Sequence, residues 1–132
     1  MLALAPLAVA SMNSARNELL RKLNFAADHD HLTGVLTRGA LVTAASKLLA
    51  NERRGSKGVA LLMLDLDHFK SINDRHGHLI GDDVLVAFAN AARAELRATD
   101  LLGRFGGEEF VALLPDTDRR AAVMIAERLR SP

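Results

Sequence analysis

The sequence predicts an α+β fold, an antiparallel or mixed sheet flanked by helices. Two observations predict it. Val59 to Leu64 is an unbroken apolar run that ends abruptly at Asp65, the pattern of a central strand buried on both faces. Leu101 to Phe105 and Glu109 to Leu114 are short apolar segments on either side of Gly106-Gly107, the spacing of a β-hairpin with glycines at its tip. Helical stripes stand before, between and after these segments, so the core reads strand, helix, strand, strand, helix.

Length and composition agree with one such domain. The 132 residues suffice for one hydrophobic core and are too few for two ordinary ones. Hydrophobic residues at 49% and charged residues at 25% give the balance of a globular chain, not a disordered one. The net charge of +1 offers no bulk electrostatic case for nucleic acid or an anionic membrane. The chain has no cysteine, which removes disulfide and thiolate-metal chemistry and fits a cytoplasmic location.

The elements follow in order. Met1 to Ala10 is apolar, but a bilayer span needs about 20 such residues, and the charged leader of a secretory signal is absent. The segment reads as a helix end or disordered start, or as the stub of an upstream sensor or membrane helix. Ser11 to Ala27 reads as a helix, with Ser11 able to cap it and Met12, Ala15, Leu19, Leu23 and Ala26 on one stripe. Residues 1–27 therefore stand as an N-terminal helix and linker, and residues 28–132 as the domain.

Thr33-Gly34 breaks the first helix pattern. A second helix runs from Gly39 to Asn51 on Leu41, Ala44, Ala45 and Leu48, and a polar turn from Asn51 to Gly58 leads into the apolar strand. Phe69 to Arg75 is a short helix and Gly77 to Gly81 a loop. Asp82 opens an amphipathic helix to Ala98, with Leu85, Phe88, Ala89, Ala92 and Leu96 on one face. After the hairpin, Pro115 ends the second strand. Asp118 caps a last helix that turns Ala122, Ile125, Ala126 and Leu129 inward.

Two places carry chemistry. Asp65 and Asp67 follow directly on the strand, and burying charge is costly unless it is paired or bound to metal. Carboxylates there suit Mg²⁺, which prefers oxygen ligands and bridges to phosphate. They equally suit the capping of a turn into the next helix. Gly106-Gly107-Glu108-Glu109 sets two carboxylates beside glycines that permit positive φ and close ligand approach. An ordinary hairpin turn with solvated glutamates has the same string.

The constellation is more specific. Asp30-His31-Leu32-Thr33-Gly34 followed by Arg38, then Asp65 to Asp74 (DLDHFKSIND), Gly77 to Asp82 (GHLIGD) and Arg104 to Phe110 (RFGGEEF), resembles the GGDEF family in order and spacing. The resemblance implies a palm-like βαββα(β) core, as in nucleotidyl cyclases, and a diguanylate cyclase that joins two GTP into cyclic di-GMP with release of two pyrophosphates. It implies two Mg²⁺ or Mn²⁺ per active site, held by Asp65, Glu108 and the Leu66 carbonyl. Backbone N–H groups from Leu66 through His68 to Phe69, with Lys70, are expected to cradle the β- and γ-phosphates, and Asn73 and Asp82 to read the guanine edge. Gly106 and Gly107 are expected to let the α-phosphate and ribose lie on the hairpin, and Glu108 to favour loss of the 3′-OH proton. Glu109 stands where the name-giving motif has Asp. Each domain holds one GTP, so the resemblance implies a catalytic homodimer.

Arg97-Ala98-Thr99-Asp100 sits where the family's inhibitory product site lies, before Leu101 to Phe105 and the glycines. About one RxxD is expected by chance in a chain of this composition, and an Arg near a helix C-terminus is favourable with the dipole in any case. The five histidines show no metal-ligand spacing; His68, His76 and His78 read as framework. The family's last strand and its basic Lys-x-x-Gly-Arg-Asn-like stretch have no counterpart before Pro132. The expectations are then an apolar edge on the strand at 59–64 and weak catalysis by the chain as it stands. A non-catalytic module binding GTP or cyclic di-GMP, and an inert dimerisation unit, are the other readings. Contact with a membrane is expected only through an upstream region.

Overall fold

The computed structural model describes residues 6–130. The order is α1 (Pro6–Asp28), β1 (Leu36–Thr37), α2 (Arg38–Ala50), β2 (Ala60–Asp65), α3 (Phe69–His76), α4 (His78–Glu95), β3 (Leu101–Arg104), β4 (Glu109–Leu114) and α5 (Arg119–Arg130). The four strands form one mixed sheet in the order β1-β3-β4-β2. β4 pairs antiparallel with β2 and with β3, and β1 pairs parallel with β3. The α+β class and the βαββα core are those the sequence predicts.

The alternation of β4 builds the layers. Phe110, Ala112 and Leu114 face one side, where they join Leu85, Ala89 and Ala92 of α4 and Ala122 and Ile125 of α5. Val111 and Leu113 face the other side and pack with Leu41 of α2. β4 is therefore covered on both faces and carries the core.

Several elements differ from the sequence expectation. Ser11 lies inside α1, which already includes Pro6, and caps nothing. Residues 1–5 and 131–132, which include the first half of the apolar start and Pro132, lie outside the described residues. β1 was not expected; two residues are too short for a periodic signal. Thr37 ends it and caps α2, its Oγ1 accepting from Ala40 N at 3.2 Å.

β2 is an edge strand, which matches the expected apolar edge, but it is not buried on both faces: its burial alternates. Leu61 is 56% exposed and Met63 68%. Their cross-strand partners Leu113 and Val111 are buried. The reason is the position of α2, which contacts β1 and β3 and leaves the same face of β2 open.

The predicted loop at 77–81 is mostly helix. α4 starts at His78, and Gly77 alone separates it from α3, at φ 86°. α4 also stops at Glu95, because Leu96 is extended. The hairpin and the last helix match expectation: Asp118 Oδ1 accepts from Ala121 N at 2.8 Å. Among the described residues no helix is long and apolar enough to cross a membrane.

Candidate functional site

The end of β2 and the β3–β4 hairpin are neighbours. Asp65 is the register partner of Glu109. One step on, Leu66 N donates to Glu108 O at 3.3 Å. The expected metal donors Asp65, Leu66 and Glu108 thus sit on adjoining backbones, all of them oxygen ligands. Asp65 is exposed and Glu108 half-buried. Among the described residues no three His, Asp or Glu side chains converge as a ready cation cage.

The hairpin tip is tightly tied. Glu109 O accepts from Phe105 N at 2.7 Å and from Gly106 N at 3.3 Å. Gly106 and Gly107 do not use positive φ, which corrects the sequence reading. Their value is space. A Cβ at Gly106 would touch the Glu109 carboxylate at 3.4 Å, and one at Gly107 would meet nothing within 4 Å, so the outer surface of the tip is open backbone.

After Asp65 the chain turns through His68, a non-glycine residue at φ 58°, into α3. No side chain caps α3, so neither Asp65 nor Asp67 serves in that way. The Phe69 ring is buried in the core, leaving only its backbone for a ligand, while Lys70 is exposed. Asn73 on α3 and Asp82 on α4 lie on helices that pack on each other, and both are partly buried. Asn73 Oδ1 is buried without a hydrogen-bond partner. Asp65, Leu66 and Asp67 also line a cavity of about 440 Å³ with Phe88, Glu95 and Arg128.

Arg104 was quoted in a motif but given no role by sequence reasoning. Its Nε donates to Gly106 O at 3.1 Å and its Nη2 to Gly107 O at 2.8 Å. Its Nη1 reaches Asp30 Oδ2 at 3.3 Å. Asp30 also accepts from Thr33 N at 2.9 Å and Thr33 Oγ1 at 2.7 Å. Burial pushes the Asp30 carboxyl up, but the Thr33 hydrogen bonds and the Arg104 charge outweigh it and hold it below its ordinary value. Arg93 Nη2 donates to Thr33 O at 2.6 Å. The signal in the sequence was the placement of Arg104 two residues before the glycines; its partner, 74 positions away, was not readable.

Arg97 and Asp100 lie at the other end of β3 from the hairpin tip. The Arg97 guanidinium grips Asp100 through Nη2–Oδ1 at 2.9 Å and Nε–Oδ2 at 3.2 Å. Its Nη2 also donates to Pro115 O and to Thr117 Oγ1. The Asp100 hydrogen bonds hold the guanidinium pKa above its ordinary value. The Asp100 side chain is fully buried and Arg97 half-exposed. A cavity of about 360 Å³ adjoins them, lined also by His29 and Arg93.

The family model described as "Diguanylate cyclase, GGDEF domain" matches residues 27–132. The chain is 47% identical over 102 residues to diguanylate cyclase DgcP of Pseudomonas aeruginosa, covering 77% of the chain and 15% of that protein. It is 44% identical over 115 residues to the response regulator PleD of Caulobacter vibrioides, covering 87% of the chain and 25% of PleD. The chain therefore spans a quarter or less of these two relatives. Among solved structures, the coiled coil and GGDEF domain of DgcB from Caulobacter crescentus, in complex with c-di-GMP, matches with a TM-score of 0.84 at 27% identity. That match covers 93% of this chain and 65% of the DgcB chain.

Proposed function

The chain belongs to the GGDEF family, and from that membership and the site's geometry we propose that it is the nucleotide-handling domain of a diguanylate cyclase. The reaction joins two GTP into cyclic di-GMP. Each 3′-oxygen bonds to the other nucleotide's α-phosphorus, the bond to the β-phosphate oxygen breaks, and two pyrophosphates leave with the two protons passing to base and solvent. The observation that carries the reading is the backbone bond from Leu66 N to Glu108 O, which sets the strand-end carboxylate beside the hairpin carboxylates.

The donor set fits a hard divalent cation. Asp65, Glu108 and the Leu66 carbonyl offer oxygen ligands, with water and phosphate free to complete the shell. Mg²⁺ or Mn²⁺ bound there supplies charge neutralisation at the phosphates and lowers the pKa of a bound hydroxyl. The chain's own residues do the rest. Glu108 accepts the 3′-OH proton, and Glu109 holds the tip closed over Gly106. The uncapped start of α3 presents backbone N–H groups to phosphate oxygens, and Lys70 adds a cation. Asn73 and Asp82 read the guanine edge, the Asp82 carboxylate accepting from the N1–H and N2–H₂ donors, a pair that adenine does not offer there. Catalysis is then mainly positioning.

The reaction needs two such domains face to face. An N-terminal stripe supports pairing of two copies: Met12, Leu19 and Leu23 of α1 are exposed in the single chain. The grip of Arg97 on Asp100 beside a cavity supports a product-binding site there, with the guanidinium's exposed edge open to a guanine or phosphate. A cytoplasmic setting follows for a GTP-dependent enzyme.

Calorimetry with GTP and ATP, and chromatography of the products formed with Mg²⁺, test the reading. GTP binding well above ATP binding is expected, with cyclic di-GMP formation lost by at least about 100-fold in Glu108→Ala. Because the chain as it stands is expected to catalyse weakly, product formation is measured on the full-length protein, where binding without product leaves the non-catalytic module. Equal GTP and ATP affinity overturns the guanine assignment.

A further inference from the structure

Arg38 closes the motif that begins at Asp30, yet it belongs neither to the expected metal set nor to the bonds that tie the hairpin. Thr37 and Arg104 are register partners in the parallel β1–β3 ladder, so the residues after them, Arg38 and Phe105, come side by side. Arg38 Cζ lies 5.1 Å from the centroid of the Phe105 ring, within the range of a cation–π contact. Phe105 leads directly into Gly106-Gly107-Glu108. Arg38 therefore stands at the base of the glycine tip, placed there by an aromatic ring.

That contact uses only the face of the guanidinium, and its N–H donors lie in the plane. Arg93 and Arg104 spend theirs on protein oxygens. Arg38 is exposed and makes no ion pair or side-chain hydrogen bond among the described residues. Its position also disfavours a cation. Arg38 is the first residue of α2, at the positive end of the helix dipole, and the first turn holds no acidic side chain. A neutral side chain such as Met would cover Phe105 without that cost. Gly39 beside it is exposed, and a Cβ there would meet nothing within 4 Å, so the surface next to Arg38 is open.

We propose that Arg38 is a phosphate-contacting residue of the nucleotide site: stacked on Phe105, its N–H edge donates to a phosphate oxygen of the GTP at Gly106-Gly107. The proposal rests on the reading above, that the hairpin handles GTP. It adds a cation on α2, whereas Lys70 stands on α3. A planar fork held by its face suits a phosphate, which takes parallel N–H donors. Asp65, Glu108 and Glu109 crowd negative charge around the tip, so a triphosphate lying there gains from a cation the chain itself supplies.

The test uses the full-length protein with Mg²⁺ and two probes. One is 3′-deoxy-GTP, which binds but has no 3′-OH to react. The other is 3′-deoxyguanosine, with the same base and sugar and no phosphate. Arg38→Met keeps the apolar cover over Phe105 and is expected to weaken 3′-deoxy-GTP about tenfold or more. It should leave 3′-deoxyguanosine unchanged. Arg38→Lys should recover part of the loss, and raising the salt should shrink it. Circular dichroism checks the fold, and Arg38→Gln takes the place of Arg38→Met should the latter not fold. Unchanged affinity for 3′-deoxy-GTP overturns the proposal. So does an equal loss for both probes, which would mean that Arg38 only supports the shape of the hairpin. A wild type that binds neither probe, or binds 3′-deoxy-ATP as well as 3′-deoxy-GTP, overturns the GTP reading itself.

Discussion

Arg104 and Asp30 meet across 74 positions of sequence, Nη1 to Oδ2 at 3.3 Å, and the same guanidinium holds the carbonyls of Gly106 and Gly107. One side chain thus ties the turn after α1 to the hairpin that carries Glu108.

Arg104→Ala should lower stability by about 1–3 kcal/mol, the scale for charge-assisted hydrogen bonds in a partly buried setting. Arg104→Lys should recover part of it, since it keeps a charge for Asp30 but loses the planar fork to the two carbonyls. Urea denaturation of the three proteins checks this, and equal stabilities would show that the bridge contributes nothing.

The acid limb of stability should depend on Asp30. Its carboxyl is held below its ordinary value in the folded chain, whereas an unfolded Asp titrates near about 3.9. A depressed folded value contributes stability that is present above the unfolded pKa and lost as pH falls through the folded one. Asp30→Asn should flatten the fall in melting temperature below about pH 4. An unchanged acid limb in that variant would contradict the assignment.

Asp82→Ala should weaken GTP binding by about 1.5–3 kcal/mol, the range for a hydrogen bond to a charged group. Calorimetry measures it directly. ATP binding should change far less.

Arg97→Ala should remove binding of cyclic di-GMP and cost about 1–2 kcal/mol in stability. The cost is moderate although Asp100 is fully buried. Arg97 is 48% exposed, and the backbone N–H at 97, which donates to Asp100 Oδ2 at 2.8 Å, is not removed by the substitution. Titration with cyclic di-GMP decides the first part: equal affinity in variant and wild type would remove Arg97 from the product site.

Much of the fold was legible because the strongest signals were local. The apolar run at 59–64 announced a strand, and the glycines between two apolar segments announced the hairpin. What the run could not announce was its neighbours. Leu61 and Met63 are as apolar as buried strand residues, and only the placement of α2 over β1 and β3 leaves them open. β1 escaped notice because two residues carry no period, and α4 began early because Gly77 makes the whole turn by itself. The motif residues were readable as a set, and the structure brings Asp65, Leu66, Glu108 and Glu109 together. The bonds of Arg97 to Thr117 and of Arg104 to Asp30 were not readable, since they depend on how the strands close.

The parallel pairing of β1 with β3 joins Leu36 to Gly103, whereas the β3–β4 hairpin closes over a few residues. Contacts distant in sequence carry a larger loop-closure entropy and tend to form late. The hairpin that bears the glutamates therefore has the shortest loop to close, and the parallel strand has a long one. Asp30 can reach Arg104 only once β1 has docked beside β3. Amide protons of the turn at 30–34 should accordingly exchange with solvent faster than those of β4, whose neighbours lie on both sides.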